Sequence, residues 1–581
     1  MSNLRKEHIF FLFILLYFFF ISAFQATDNH WSSRIDQDIQ LIYHSLLIYS
    51  GHDQGYIDHP AYTTLFILGG VYKILSFFLS NFTLDEVLNS NDIDQKLQNL
   101  FSVARILNSI YFFIYVYLVF KLLKELNIKI VFCYIATLLL LSFHSIYEVL
   151  FLIRSEVLSV ILGLLSFYFL VLFIKYQKSA KYCFFSGIFL SFAILTKIQI
   201  IFLIFIFILI TPFLFSYYNC QNINGLIFKS KKFFILSSFL FSLGFAGYLI
   251  FEFFYAYSLL TKQFPMFHYF MSIPHYIDPI MYCLFFVFYF FLLKYVSVKN
   301  NINFYNLINL FYIIIYGIIF SILFIFILDL IGLVKFNNKI LFFLSNPIHK
   351  ISMYTVGTFN TELLGEFSLG YLIESIKNIF YNNYKLFPNK NYTFELGGVL
   401  IGIVDLFRFI YILISGFIIL FLIFSKNSKK ELSIISILLF GIAILNLSFG
   451  ARDGFGYNLY LYPPILLLLF LTFNKLNNRF VIYSALTILF TISFLEFYSL
   501  RNTYKLQFNR ENRIYDICKI EKWKNSENYI KKFNENSFIP LTEDPRTVIL
   551  VLYSKINLIQ YCKQLEKKLS WKTNFFNIKI N

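Results

Sequence analysis

Long apolar runs separated by short polar breaks fill most of the chain. Runs near 8–24, 103–120, 130–149, 156–174, 182–196, 198–217, 233–253, 278–297, 304–333, 396–424, 432–449, 458–473 and 480–498 each come close to the roughly 20 residues that an α-helix needs to cross a hydrocarbon core. They predict an all-α polytopic membrane protein, a bundle of about 13 transmembrane helices. One further run, from Ala61 to about Phe82, does not fit as a crossing. Arg5 and Lys6 precede the first run, and Lys121, Lys124 and Lys129 follow the run at 103–120. Cytoplasmic loops collect lysine and arginine, so only one crossing separates the N-terminus from the 103–120 span. The 61–82 segment is therefore expected to be a re-entrant or interfacial helix.

The same rule orients the rest. Lys175, Lys178 and Lys181, then Lys229, Lys231 and Lys232, fall at every second junction, followed by Lys294 with Lys299, Lys426 with Lys429 and Lys430, and Lys475 with Arg479. This alternation predicts that these junctions face the cytoplasm. The opposite junctions face outward. They comprise a first outer loop at 25–102 that contains the 61–82 helix, a turn at Arg154 and Glu156, a loop at 254–277, a long loop at 334–395, and Arg452 with Asp453. Residues 1–498 form the transmembrane domain on this reading, and 499–581 form a small extramembrane domain. That tail is basic, with 16 Lys and Arg against 8 Asp and Glu, but long segments translocate largely regardless of charge, so it is expected on the outer, periplasmic face. No internal repeat marks the chain as an inverted-repeat transporter.

Composition narrows the class further. At 58% hydrophobic and 14% charged over 581 residues, the chain has too little polar surface for a soluble domain. The net charge of +17 sits in the junction clusters rather than on a basic face with readout residues, which argues against nucleic acid. Met1 to Phe24 has no small-residue cleavage site and reads as an uncleaved first helix. The six cysteines show no CxxC or Cys/His metal spacing. Cys133, Cys183 and Cys283 lie in apolar runs as small hydrophobes. Cys518 and Cys562 fall in the tail and could pair if it lies in an oxidising compartment, and its Trp523 and Trp571 suit either a core or a partner surface. Few alanines with abundant Ile, Phe, Asn and Lys suggest an AT-rich bacterial genome.

The candidate chemistry gathers on the outer side. The first loop reads "WSSRIDQDIQLIYHSLLIYSGHDQGYIDHPAYTTL". Asp36 and Asp38 precede Ile39, Ile42, Leu46 and Leu47, spaced for one helical face, and either carboxylate suits a helix N-cap. Capping needs only one of them. Asp53, Asp58 and His59 follow, with Pro60 marking a helix start. Arg105, Arg154, Glu156, Lys197 and Arg452 lie at or near outer ends of spans, opposite the lysine clusters. Such residues either snorkel to the headgroups or face a bundle cavity and mark a path for charged groups.

The order of these residues resembles the GT-C membrane glycosyltransferases, and most closely the protein O-mannosyltransferase and aminoarabinose transferase group. Asp36-Gln37-Asp38 is similar to their acidic pair, and Tyr56 with Asp58-His59-Pro60-Ala61-Tyr62 resembles their "HPPL" or "KPPL" stretch. Gln37 stands where the group has an acidic partner, and Ala61 where it has a second proline. "VARILNSIYFF" with Arg105, "FLIRSEVLSVILGLLSFYFLVLF" with Arg154 and Glu156, and "SGIFLSFAILTKIQIIFLI" with Lys197 resemble three further stretches, and "RDGFGYNLYLYPPILLLL" with Arg452 is a weaker likeness. The resemblance covers about residues 8–215 and implies a GT-C-like bundle that moves a sugar from a polyprenyl-phosphate donor to a glycan, lipid or protein acceptor at the outer face of the cytoplasmic membrane, by a single inverting displacement. It implies Asp36 as the catalytic base with Asp38 as alternate, and Tyr56, Asp58, His59, Arg105, Arg154, Glu156, Lys197 and Arg452 as substrate-binding residues. It implies no cofactor, although an Asp36/Asp38 pair could hold a divalent cation through oxygen ligands. Two other readings remain open: a flippase or transporter of lipid-linked saccharides, and a polymerase or ligase that would use the long 334–395 loop.

Overall fold

The computed structural model describes residues 2–28, 37–52, 61–79, 82–90, 92–143, 149–150, 152–177, 179–218, 231–251, 277–300, 303–334, 394–396, 399–401 and 455–474, with isolated helical positions at 146, 254, 434–435, 438, 441, 482–484, 486–487 and 490–491. The helices are α1 (Ser2–Asp28), α2 (Gln37–Tyr49), α3 (Tyr62–Ser76), α4 (Leu84–Leu88), α5 (Ile93–Glu125), α6 (Ile130–Ser142), α7 (Ser155–Tyr176), α8 (Lys181–Thr196), α9 (Ile201–Tyr217), α10 (Lys231–Phe251), α11 (Ile277–Asn300), α12 (Phe304–Leu330) and α13 (Phe455–Phe473). Among the described residues, five helical stretches are long and apolar enough to cross a membrane, and four shorter apolar ones lie at 130–142, 181–196, 283–298 and 459–473. The outside of the bundle carries the same message. Phe239, Leu243, Phe291 and Leu323 are exposed, and a helix such as α10 that shows apolar side chains around most of its girth belongs in lipid.

Most of the expected spans fall where their apolar runs lie, with three differences. α5 starts at Ile93, about ten residues before the expected span, because the Asp92 carboxylate caps it by accepting from the Gln95 N–H at 3.1 Å. Its first turns, "IDQKLQNLF", are too polar to register as a crossing. Second, α6 ends at Ser142, short of the expected 149. Third, within a chain that is otherwise helical over the described residues, as the all-α class expects, there is one short two-stranded antiparallel hairpin, β1 (Phe394–Leu396) and β2 (Val399–Ile401), paired Phe394 with Ile401. β2 occupies the first residues of the span expected over 396–424. The rest of that span, most of the 334–395 loop and the 499–581 tail with Cys518, Cys562, Trp523 and Trp571 lie outside the described residues.

Two ends of the bundle can be told apart by what meets there. At one end the start of α1 joins the end of α5 through Glu7 and Lys124, whose Oε1 and Nζ are 2.8 Å apart. Lys175, at the end of α7, donates to the Glu125 carbonyl at 2.8 Å and to its carboxylate at 3.1 Å. The Tyr218 hydroxyl, just past α9, donates to the same carbonyl at 2.7 Å. Asn474, after α13, donates to the Asn127 carbonyl at 3.3 Å. Lys121, Lys129 and Lys181 belong to the same two junctions, so the lysine-bearing α5–α6 and α7–α8 junctions meet the start of α1 at one end.

The opposite end has its own core. α2, α3 and α4 pack over the polar start of α5, and Leu46, Tyr62, Leu68, Tyr72, Leu88, Leu97 and Phe101 bury one another together with Ile153, Leu195, Ile198 and Ile325 from the tips of α7, α8 and α12. α3 is the helix of the 61–82 run and has 15 residues. It is fixed by Thr63, which donates to the Phe192 carbonyl at 3.0 Å, and by Tyr72, which donates to the Leu100 carbonyl at 2.9 Å.

The rest of the bundle shows how backbone is satisfied without water. α8 and α12 cross so closely that a Cβ on Gly187 would lie 2.0 Å from the Ile314 carbonyl oxygen, and one on Gly317 would lie 2.2 Å from that of Phe184. Pro463 sits inside α13 and leaves the Leu459 carbonyl without its helical donor, and the Tyr115 hydroxyl of α5 supplies the missing bond at 3.1 Å. Cys133 and Cys183 are buried as expected, whereas Cys283 is exposed on the apolar outside of α11.

Candidate functional site

At the end opposite the lysines, the sequence "FLIRSE" makes the connection between α6 and α7. The segment leaves helical geometry before α7 begins, and α7 is preceded by Arg154 in an extended conformation, φ −127°, ψ 140°. An N-terminal turn leaves its N–H groups without helical acceptors. The Ile153 N–H finds one on another element: it donates to the Asp38 carboxylate at 3.0 Å. Asp38 is the second residue of α2 and is only 3% exposed. Of the two carboxylates suited to an N-cap, Asp38 lies inside α2 as its second residue rather than before it, and its carboxylate ties α2 to a turn 115 residues away.

One turn into α7, Glu156 meets Lys197. Lys197 ends α8 in an extended conformation, φ −156°, ψ 120°, which points the chain into a single 3-10 turn, Ile198–Ile200, before α9. Its Nζ lies 3.0 Å from Glu156 Oε1, and both side chains are buried, Lys197 to 1% exposure. The contact lacks good hydrogen-bond alignment, and Glu156 Oε2 has no partner among the described residues. Arg154 lies within electrostatic reach of the same carboxylate. Residues assigned separately to substrate contact thus form one charged row. Lys197 is neutralised by Glu156 here, and its ammonium is shut off from solvent.

Arg105 belongs to the same layer. It is buried on α5 with its guanidinium carbon 5.5 Å from the centre of the Phe101 ring, a cation–π arrangement. Asn108, one turn further on, was not singled out from sequence. Its Nδ2 donates toward the carbonyls of Val149, Leu150 and Leu152 at 3.1, 3.0 and 2.8 Å. Gln199 was missed as well: it is buried in the 3-10 turn, and neither amide atom is bonded among the described residues. The available signal was an amide inside an apolar run, "ILNSI" and "TKIQI", which most often means a satisfied core side chain. Tyr43 on α2 is also buried, and burial pushes its phenol up to about 12, so at neutral pH it offers a hydroxyl rather than a base.

The structure therefore brings Asp38, Arg105, Arg154, Glu156 and Lys197 to one end of the bundle. Asp36, Asp53, Tyr56, Asp58, His59 and Arg452 lie outside the described residues. Among the described residues no cluster of three or more His, Cys, Asp or Glu could hold a metal ion.

No protein-family model matches the chain, and no curated protein matches it. Among solved structures, the chain is similar to the crystal structure of the Archaeoglobus fulgidus oligosaccharyltransferase in the apo form, at 13% identity over 92% of this chain, with a TM-score of 0.38. The match spans 61% of that chain. A likeness of this degree assigns neither activity nor substrate.

Proposed function

We propose that the protein is an integral membrane glycosyltransferase that takes a sugar from a polyprenyl-phosphate carrier and passes it to an acceptor at the outer face of the cytoplasmic membrane. The observation that carries this reading is the joining of the start of α2 to the charged tips of the spans: Asp38 on the Ile153 N–H, and Glu156 on Lys197 three residues later. A lipid-linked donor arrives from within the bilayer with its phosphate at about the depth of span ends. There it needs cations, and the acceptor hydroxyl needs a base.

The displacement is a single step. The acceptor oxygen attacks the anomeric carbon while the bond from that carbon to the phosphate oxygen breaks, and the phosphate leaves with the electron pair. The hydroxyl proton passes to a carboxylate, and the configuration inverts. Asp38 is buried and committed to a backbone N–H, which suits an anchor. Asp36, two residues upstream, is assigned as the base. Glu156 and Lys197 cancel, so Arg105 and Arg154, with Arg452, supply the net positive charge that stabilises the departing phosphate. Tyr56, Asp58 and His59 are assigned to orienting the acceptor or the donor phosphate.

The test is transfer by the purified protein in lipid with a panel of radiolabelled polyprenyl-phosphate sugars and hydroxyl acceptors. The native chain is expected to release polyprenyl phosphate, and Asp36→Asn to lower turnover by about 10²–10⁴-fold, the usual contribution of a positioned base. Undiminished turnover in Asp36→Asn removes it from that role. Movement of intact donor across vesicles with no bond broken replaces the reading with transport.

A further inference from the structure

We propose that Asn108 is a positioning residue of this site, holding the α6–α7 connection so that the Ile153 N–H is presented to Asp38. The inference rests on the reading of the α2 start as the carrier of the base. The amide group of Asn108 has two hydrogens and faces three carbonyl oxygens within 3.1 Å, so the hydrogens are shared among them. Those carbonyls belong to the stretch that leaves helical geometry before α7: that of Val149 also accepts from the Leu152 N–H at 3.1 Å, while those of Leu150 and Leu152 have lost their i+4 donors. At this depth there is little water to replace such donors, and a buried carbonyl left without one is costly. Asn108 is itself 3% exposed, and it gathers all three from a neighbouring helix.

The consequence follows along the chain. With Val149, Leu150 and Leu152 fixed by their oxygens, the next N–H, that of Ile153, has a set direction and meets Asp38 Oδ2 at 3.0 Å. Arg154 follows directly, and Glu156 reaches Lys197. One side-chain amide on α5 thus sets the register of α7 against both α2 and α8. Loss of the amide would free the connection, release Asp38 and let the first residues of α2 drift. A misplacement of about 1 Å at a reacting group can cost about 10²-fold in rate.

The experiment uses the full chain in lipid and two readouts. Hydrogen exchange followed by mass spectrometry reports the peptide that contains Ile153, and steady-state transfer reports kcat and KM for the lipid-linked donor. In Asn108→Leu the Ile153 amide is expected to exchange at least about tenfold faster, with kcat falling and KM unchanged. Asn108→Ser keeps one donor and is expected to fall between, and it carries the test if the leucine variant does not fold. Unchanged protection in either variant overturns the clamp. Lost protection with kcat unchanged, or with the whole loss in KM, overturns the positioning role. Failure of the underlying reading looks different: Asp36→Asn and Asp38→Asn would both turn over at the native rate, while exchange at Ile153 would still report the clamp.

Discussion

Asp38 and Ile153 set the limit of what single residues disclose. The sequence marks Asp38 as special through its place before an apolar helical face, but its partner is a backbone N–H far along the chain, which no side-chain motif encodes. Glu156 and Lys197 were legible as charges at outer span ends, yet not as a pair, because pairing follows from the crossing of α7 and α8. Removing one member of a buried pair leaves an uncompensated charge and typically costs about 3–5 kcal/mol, whereas an apolar or neutral replacement of both can be nearly free. Glu156→Gln and Lys197→Met are each expected to lower the thermal midpoint of the detergent-solubilised protein markedly, and the double variant to recover most of the loss. An additive double variant would show that the two do not interact. Ala61 supplies a second residue-scale prediction. It sits at φ 44°, ψ 26° and is fully buried, whereas proline holds φ near −65°. The departure from the paired-proline pattern therefore has a backbone cause. Ala61→Pro is expected to abolish folded yield while Ala61→Gly is tolerated, and detergent-resistant monomer yield distinguishes the two.

At the scale of elements, hydropathy finds long apolar helices whether lipid or protein covers them and misses helix starts that are polar. α7, α9 and α12 were visible as apolar runs. The start of α5 was not, because Ile93–Phe101 lies outside the greasy span and is held by Asp92 and the α2–α4 layer. The hairpin at 394–401 went unread for the converse reason: its six paired residues merge into a hydrophobic run that continues past it. Glycines separate packed helices from lipid-facing ones. Gly317 of α12 meets the Phe184 carbonyl of α8, whereas nothing stands within 4 Å of a Cβ on Gly244 or Gly247 of α10. Gly317→Val is expected to force α8 and α12 apart and to lower the thermal midpoint, and Gly247→Val to leave it within a degree or two. Equal behaviour of the two substitutions would contradict the crossing.

Over the whole molecule, charge sorts the bundle into two ends. Lys124, Lys129, Lys175 and Lys181 gather around the end of α5, and Asp38, Arg154, Glu156 and Lys197 gather at the other. The sequence already carried this division, since lysine clusters recur at every second junction. What it lacked was the layer of α2, α3 and α4 that closes over the second end and gives it a core of its own. On the proposed reading, the positive-inside rule makes the lysine end cytoplasmic and turns the carboxylate-bearing end outward, where a lipid-linked sugar would be transferred. The account depends on that sidedness. Single cysteines placed at Gln54 and at Gln177, in a chain whose six native cysteines are replaced, test it with a membrane-impermeant thiol reagent on intact cells. The account predicts labelling at position 54 without permeabilisation and at position 177 only after it. The reverse pattern would turn the proposed chemistry toward the cytoplasm and contradict the central claim.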